Sequence, residues 1–129
     1  MEANKGNVSV EVMTRELLTR IRWHWESDAS GDAVYNGQEV SGIAYRYVSS
    51  HNTASSGTYS VRLLDEDGGD WILPAISGLT INQTTVGELY QTLVANAARE
   101  LVLDGVLALK IAHSAGAANR GIFDLWLRT

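Results

Sequence analysis

The stretch VRLLDEDGGDWIL, residues 61–73, sets four carboxylates and two glycines between two apolar runs. A calcium loop of the EF-hand type takes oxygen ligands at its first, third and fifth positions, glycine at the sixth and a bidentate glutamate at the twelfth. Begun at Asp65, the stretch has Asp67 third but Gly69 fifth, Asp70 sixth and Ile76 twelfth, so it fails as a calcium loop. Acid–base catalysis needs two carboxylates held apart in a pocket that separates their pKa values. Asp65, Glu66 and Asp67 are consecutive and run into Gly68-Gly69, a composition expected to be solvated. The spacing predicts a hairpin instead: Tyr59, Val61 and Leu63 alternate with Ser60, Arg62 and Leu64, the glycines turn, and Trp71-Ile72-Leu73 returns.

His24, His51 and His113 are the only imidazoles. None has a second histidine three or four residues away, and the one carboxylate at such a spacing, Asp28 from His24, runs from a strand into a turn. Each histidine is therefore expected to be a surface or partly buried bystander. His113-Ser114 lacks both a nucleophile elbow and an acid to orient the imidazole. The segment Ala115-Gly116-Ala117-Ala118 lacks the Gly-Lys-Ser/Thr of a phosphate loop. With no cysteine there is no thiolate nucleophile, disulfide framework or zinc–thiolate site. No metal, cofactor or enzymatic activity is expected.

The elements that would position a site are strands. Val8, Val10 and Val12 alternate with polar residues, as do Ile21, Trp23 and Trp25, and each run reads as half-buried. SDASGD, residues 27–32, turns into a short strand around Ala33, Val34 and Tyr35, and Asn36-Gly37 marks a further turn before Ile43, Tyr45 and Tyr47. SSHNTASSG, residues 49–57, reads as a polar loop. Leu89, Leu93, Ala97 and Leu101 stand at four-residue spacing, the pattern either of one helix or of an extended connection between sheets. Leu107, Leu109 and Ile111, then Phe123, Leu125 and Leu127, return to alternation across the turn HSAGAANRG. The pattern predicts one all-β domain over residues 8–129, an antiparallel sandwich or barrel of about eight strands. Residues 1–7 form a flexible arm ahead of it, with Asn4 and Lys5 as attachment candidates.

Composition narrows the partners. At 129 residues with 45% hydrophobic and 19% charged residues, the chain is ordinary for one globular domain, and no apolar run reaches the length of a membrane span. The opening MEANKGNVSVEVM does not read as a secretory signal, so the sequons at Asn7 and Asn82 carry little weight. A net charge of −5, with arginines scattered along the chain, argues against nucleic acid. On the last strand Trp126 falls, by alternation, on the face of Asp124 and Arg128 rather than with Phe123, Leu125 and Leu127. An aromatic on an outer face invites a partner, unless the segment from Leu89 to Leu101 covers it. Val106, Ala108 and Ala112 make the second face of their strand small and apolar, fitting either a covered strand or a subunit contact.

Three blocks, WESDASGDA, TYSVRLLDEDGGDWI and LVLDGVLALKIAHSAGAANRGIFDLWLR, resemble small β proteins among the structural proteins of tailed bacteriophages, including capsid cement (decoration) proteins. The resemblance runs from Trp25 to Arg128, with Asp65, Asp67, Gly68, Gly105, Ala115, Gly116 and Gly121 at its turns. It implies a jelly-roll-like fold, a homo-oligomer (dimer or trimer) bound to the major capsid protein on the outside of the virion, and no catalysis. The acids Asp65, Glu66 and Asp67, together with Trp126 and Arg128, then become candidates for contacting the shell or a second copy. A carbohydrate- or receptor-binding module of a tail fibre or spike fits the same strand pattern, because fold alone does not choose between them. A tail or head-completion component is a third reading.

Overall fold

The structure, a computed structural model, describes residues 3–51, 58–65, 76–80, 84–88, 91–92, 98–99, 101–113 and 119–128. The strands are β1 (Asn7–Arg15), β2 (Leu18–Glu26), β3 (Asp32–His51), β4 (Thr58–Leu64), β5 (Ile76–Thr80), β6 (Thr84–Glu88), β7 (Gln91–Thr92), β8 (Ala98–Arg99), β9 (Leu101–His113) and β10 (Arg120–Arg128). All pair antiparallel, as the alternation led one to expect, and no helix occurs among the described residues.

Hydrogen bonds link the strands in the order β1-β2-β10-β3-β9-β4-β5, with β6 also on β3 and β7 paired to β8 apart from the rest. β2 and β4 stand four steps apart in that order, which in a flat sheet means roughly 19 Å. Yet the rings of Trp25 on β2 and Tyr59 on β4 lie 5.6 Å apart. The sheet therefore folds over itself, and β3 is the strand that turns the corner. Residues 32–44 of β3 pair with β9, whereas residues 43–51 pair with β10 and, over 46–50, with β6. Gly42, at φ 142°, and a register shift that leaves Tyr45 unmatched mark the bend.

Two layers result, one of β1, β2, β10, the second half of β3 and β6, the other of the first half of β3 with β9, β4 and β5. Between them lies a core built from the alternate positions of each strand: Ile21, Trp23 and Trp25; Phe123, Leu125 and Leu127; Leu103, Leu107, Leu109 and Ile111; Tyr59, Val61 and Leu63. Burying such side chains contributes about 1.5–3 kcal/mol each before chain entropy is counted. Gly121 belongs to this packing by having no side chain. A Cβ there would stand 2.5 Å from both the Trp25 indole and the Ser50 carbonyl oxygen.

The structure bears on several of these expectations. Asn36-Gly37 does not separate two strands; it is a bulge inside β3, where the register shifts between Tyr35 and Gln38 and Gly37 sits at φ 94°. The Asn-Gly signal reports positive φ, which a bulge uses as readily as a hairpin turn does. The strand that returns along β4 is Ile76–Thr80, with Val61 opposite Ile76. Trp71-Ile72-Leu73 and the turn at Gly68-Gly69 lie outside the described residues. Of the two alternatives for 89–101, the helix is ruled out where the chain is described, since 91–92 and 98–99 are strands paired with each other and Leu101 opens β9. Residues 49–51 of the expected polar loop belong to β3. The remainder of that loop is outside the described residues.

The segment read as a free arm is tied to the fold at residues 4–6. Lys5 and Val34 exchange both backbone hydrogen bonds, at 3.0 and 3.1 Å, and Asn4 Oδ1 accepts from the Asn36 backbone N–H and Nδ2, both at 2.9 Å. Gly6, at φ 66°, permits the kink that carries the chain from that bridge into β1.

Candidate functional site

Strand alternation assigns the even-numbered residues of β2 and β10 to the outer face of the first layer, and the register aligns them in rows. One row holds Ser9, His24, Ile122 and Ser50; the next holds Glu11, Arg22, Asp124 and Val48; the third holds Met13, Arg20, Trp126 and Arg46. A fourth, at the corner of the fold, holds Arg15, Leu18, Arg128, Ile43 and Val102.

In the first two rows each carboxylate has a close partner. His24 Nε2 lies 2.8 Å from Glu11 Oε1. Arg22 donates through Nε and Nη2 to the two oxygens of Asp124, at 2.7 and 2.8 Å. That bidentate pair lets Asp124 be 5% exposed on a face that looks outward. Its hydrogen bonds hold the guanidinium pKa above its ordinary value, against a smaller opposing effect of burial. Beside these rows an open groove is lined by Asn7, Ser9, His24, Glu26, Arg120 and Ile122, with Arg120 Nε 2.7 Å from Glu26 Oε2 across it.

The third row is different. Trp126 is half-buried, and the guanidinium carbons of Arg20 and Arg46, from the strands on either side, each lie 6.0 Å from its ring. That distance is at the outer limit of cation–π attraction. Around this row stand exposed aliphatic side chains: Met13, Leu18, Val102, and Leu17 at the β1–β2 turn, which is 68% exposed. Arginine, tryptophan and methionine are residue types enriched at protein interfaces.

A second cluster is internal. His51, at the end of β3, and His113, at the end of β9, are 4% and 5% exposed, with their Nε2 atoms 3.1 Å apart. Trp25 and Tyr59 pack against them, the Tyr59 ring stacked at 6.1 Å on His113, and the Tyr59 hydroxyl shares a 2.8 Å hydrogen bond with Ser49. Burial lowers both imidazole pKa values, and at His51 the neighbouring His113 lowers it further. Burial raises the Tyr59 pKa, partly offset by Ser49. The expectation of surface or partly buried histidines fails for this pair, because residues 62 positions apart meet in the interior. No group of three or more metal-ligating side chains occurs among the described residues.

The attachment candidates do not form one site. Trp126 and Arg128 share the outer face of β10. Asn4 and Lys5 sit at the opposite end of β1 from Met13, with Lys5 Nζ 3.8 Å from Asp32. Asp65 follows β4 and is half-buried, while Glu66 and Asp67 lie outside the described residues. Arg20, Arg46, Met13 and Leu18 escaped sequence reasoning. Arg15, Arg20, Arg46 and Arg128 look scattered along the chain, yet strand pairing gathers them on one face.

No protein-family model matches the chain, and no curated protein matches it in sequence. Among solved structures, the CBM22-1 xylan-binding domain from Paenibacillus barcinonensis Xyn10C is 12% identical, at a TM-score of 0.43 over 98% of this chain and 83% of that one. A protein of the Bacillus endospore appendages, described as disulfide-linked pili, is 10% identical at a TM-score of 0.38 over 99% and 96%. The agarase AgWH50C is 6% identical at 0.38, and this chain spans 23% of its length. Likenesses at such TM-scores carry no argument about what this chain does.

Proposed function

We propose that this protein is a non-enzymatic assembly module that attaches to a protein surface through the outer face of its first layer. The observation that carries the reading is Trp126 set between Arg20 and Arg46 and bordered by Met13, Leu18 and Val102. Interface energy concentrates in such aromatic and arginine anchors, each worth ~2 kcal/mol or more on truncation, with surrounding aliphatics excluding water. With the resemblance of its three sequence blocks, the specific proposal is a capsid cement protein on the outside of a tailed-phage virion, bridging neighbouring major capsid proteins. A jelly-roll-like connectivity and a count of about eight strands belong to that proposal.

Self-association is part of it. β1 ends the strand order and carries exposed Val12 and Met13, so it offers an edge to a second copy. The test is co-sedimentation of the purified chain with shells of the encoding phage, and its copy number in purified particles. Retention in many copies supports the cement reading; a few copies per particle supports a head- or tail-completion component; no retention removes both.

A carbohydrate-binding module remains the second reading, favoured by the polar groove between His24–Glu11 and Arg120–Glu26. Against it, the guanidinium carbons of Arg20 and Arg46 each lie 6.0 Å from the Trp126 ring, so the ring is not a bare stacking platform for a sugar. Retention on a glycan array without affinity for shells would favour the carbohydrate.

A further inference from the structure

On the outer face of the first layer, each carboxylate has a partner until Trp126 is reached. Glu11 answers His24 and Asp124 answers Arg22. One register step on, Arg20 and Arg46 flank Trp126, and neither has a carboxylate partner among the described residues. Glu88 is the cross-strand neighbour of Arg46 in the backbone register. Two further donors in the row, Arg20 Nε and Trp126 Nε1, are covered from solvent with no acceptor. A covered donor left unpaired costs folding free energy, and cation–π attraction at exposed sites returns only part of it. The row carries two guanidinium groups side by side on a chain whose net charge is −5.

We propose that Arg20, Trp126 and Arg46 form a receptor for the carboxylate of an Asp or Glu side chain on a protein partner. The inference rests on the outer face being the attachment face, and it names the group that face recognises. A guanidinium presents a planar fork that matches two carboxylate oxygens, so an acid docking over the row takes the fork of Arg20 or of Arg46 beside Trp126. Its charge offsets the positive charge of the row. The aliphatic border distinguishes a protein acid from an acidic glycan. Met13, Leu18 and Val102 gain from covering by apolar side chains. A uronate chain would present hydroxyls to the same groups and leave that surface poorly used.

The test uses the full chain and a fluorescently labelled peptide of alternating Glu and Leu, read by anisotropy, with polygalacturonate and inorganic phosphate as competitors. The expected result is saturable binding that weakens as salt is raised. The Arg20→Gln, Arg46→Gln double variant should lose at least about tenfold in affinity, because charged hydrogen bonds are removed while its melting temperature stays near the parent's. Arg20→Lys with Arg46→Lys keeps the charge without the fork and should fall between the two. Should the double variant fold poorly, Arg46→Glu, at an exposed position, reverses one charge and should abolish binding. Peptide binding unchanged in these variants, absence of peptide binding by the parent, or polygalacturonate bound more tightly than the peptide would each overturn the proposal. Shells separate the two readings. Retention of the double variant equal to the parent's defeats the receptor and leaves attachment standing, whereas a parent that binds peptide but not shells supports the receptor and defeats the cement reading.

Discussion

At the scale of single residues, the outcome turns on which side chains find a partner. His51 and His113 share one hydrogen bond between their Nε2 atoms, which requires one ring to donate and the other to accept. Protonating the acceptor makes both rings donors and puts charge into a buried site between Trp25 and Tyr59. Both folded pKa values lie below the ordinary value, so the unfolded chain binds protons first as pH falls. Stability is therefore complete above an unfolded pKa of about 6.5 and is lost as pH drops from there through the depressed folded values. Thermal melts from neutral to mildly acidic pH should show the loss, and His51→Gln should flatten the histidine part of it; an unchanged pH slope in that variant would sink the explanation. Asp124 gives a second expectation at this scale. Asp124→Asn takes away the charge that the two Arg22 hydrogen bonds rely on and should cost about 1–3 kcal/mol by urea unfolding, Arg22 being only partly buried. A neutral result would mean that water replaces the pair. Neither contact was legible in the sequence, because Arg22 and Asp124 are 102 residues apart and their meeting depends on which strands are neighbours.

At the scale of elements, periodicity was readable and pairing was not. Alternation at Val8, Val10 and Val12, at Ile21, Trp23 and Trp25, and at Phe123, Leu125 and Leu127 marked β1, β2 and β10 and their inward faces. It also put Trp126 on the outward face, because a period of two needs no knowledge of neighbours. Alternation could not show that β10 inserts between β2 and β3, and so could not bring Arg20 and Arg46 to Trp126. Nor could it separate a bulge from a turn at Asn36-Gly37, since both ask for positive φ. The β1–β2 turn holds a local strain of the same kind: Glu16 sits at φ 54°, a region that a β-carbon disfavours. Glu16→Gly should raise stability by up to about 1 kcal/mol, seen as a higher urea midpoint at an unchanged slope; a lower midpoint would show the turn is not strained. The Lys5–Val34 bridge gives an expectation opposite to that of a free arm. Deleting residues 1–6 should lower the melting temperature, and no change would mean that the bridge adds nothing.

At the scale of the whole molecule, the folded-over sheet separates its core from the face proposed for attachment. The interior holds the aromatic and aliphatic core, and the outer face of the first layer presents side chains the core does not need. A protein with many copies on a lattice needs only a modest contact per copy, because each bridge raises the effective concentration of the next. One face centred on Trp126 suffices for that role, and the edge at β1 extends it to neighbouring copies. The most direct test is an equilibrium binding curve of the parent and Trp126→Ala on purified shells, with melting temperatures measured alongside. The account predicts a variant that melts close to the parent, because Trp126 lies outside the core, yet loses roughly tenfold or more in shell affinity. A variant that decorates shells as well as the parent would contradict the assignment of this face.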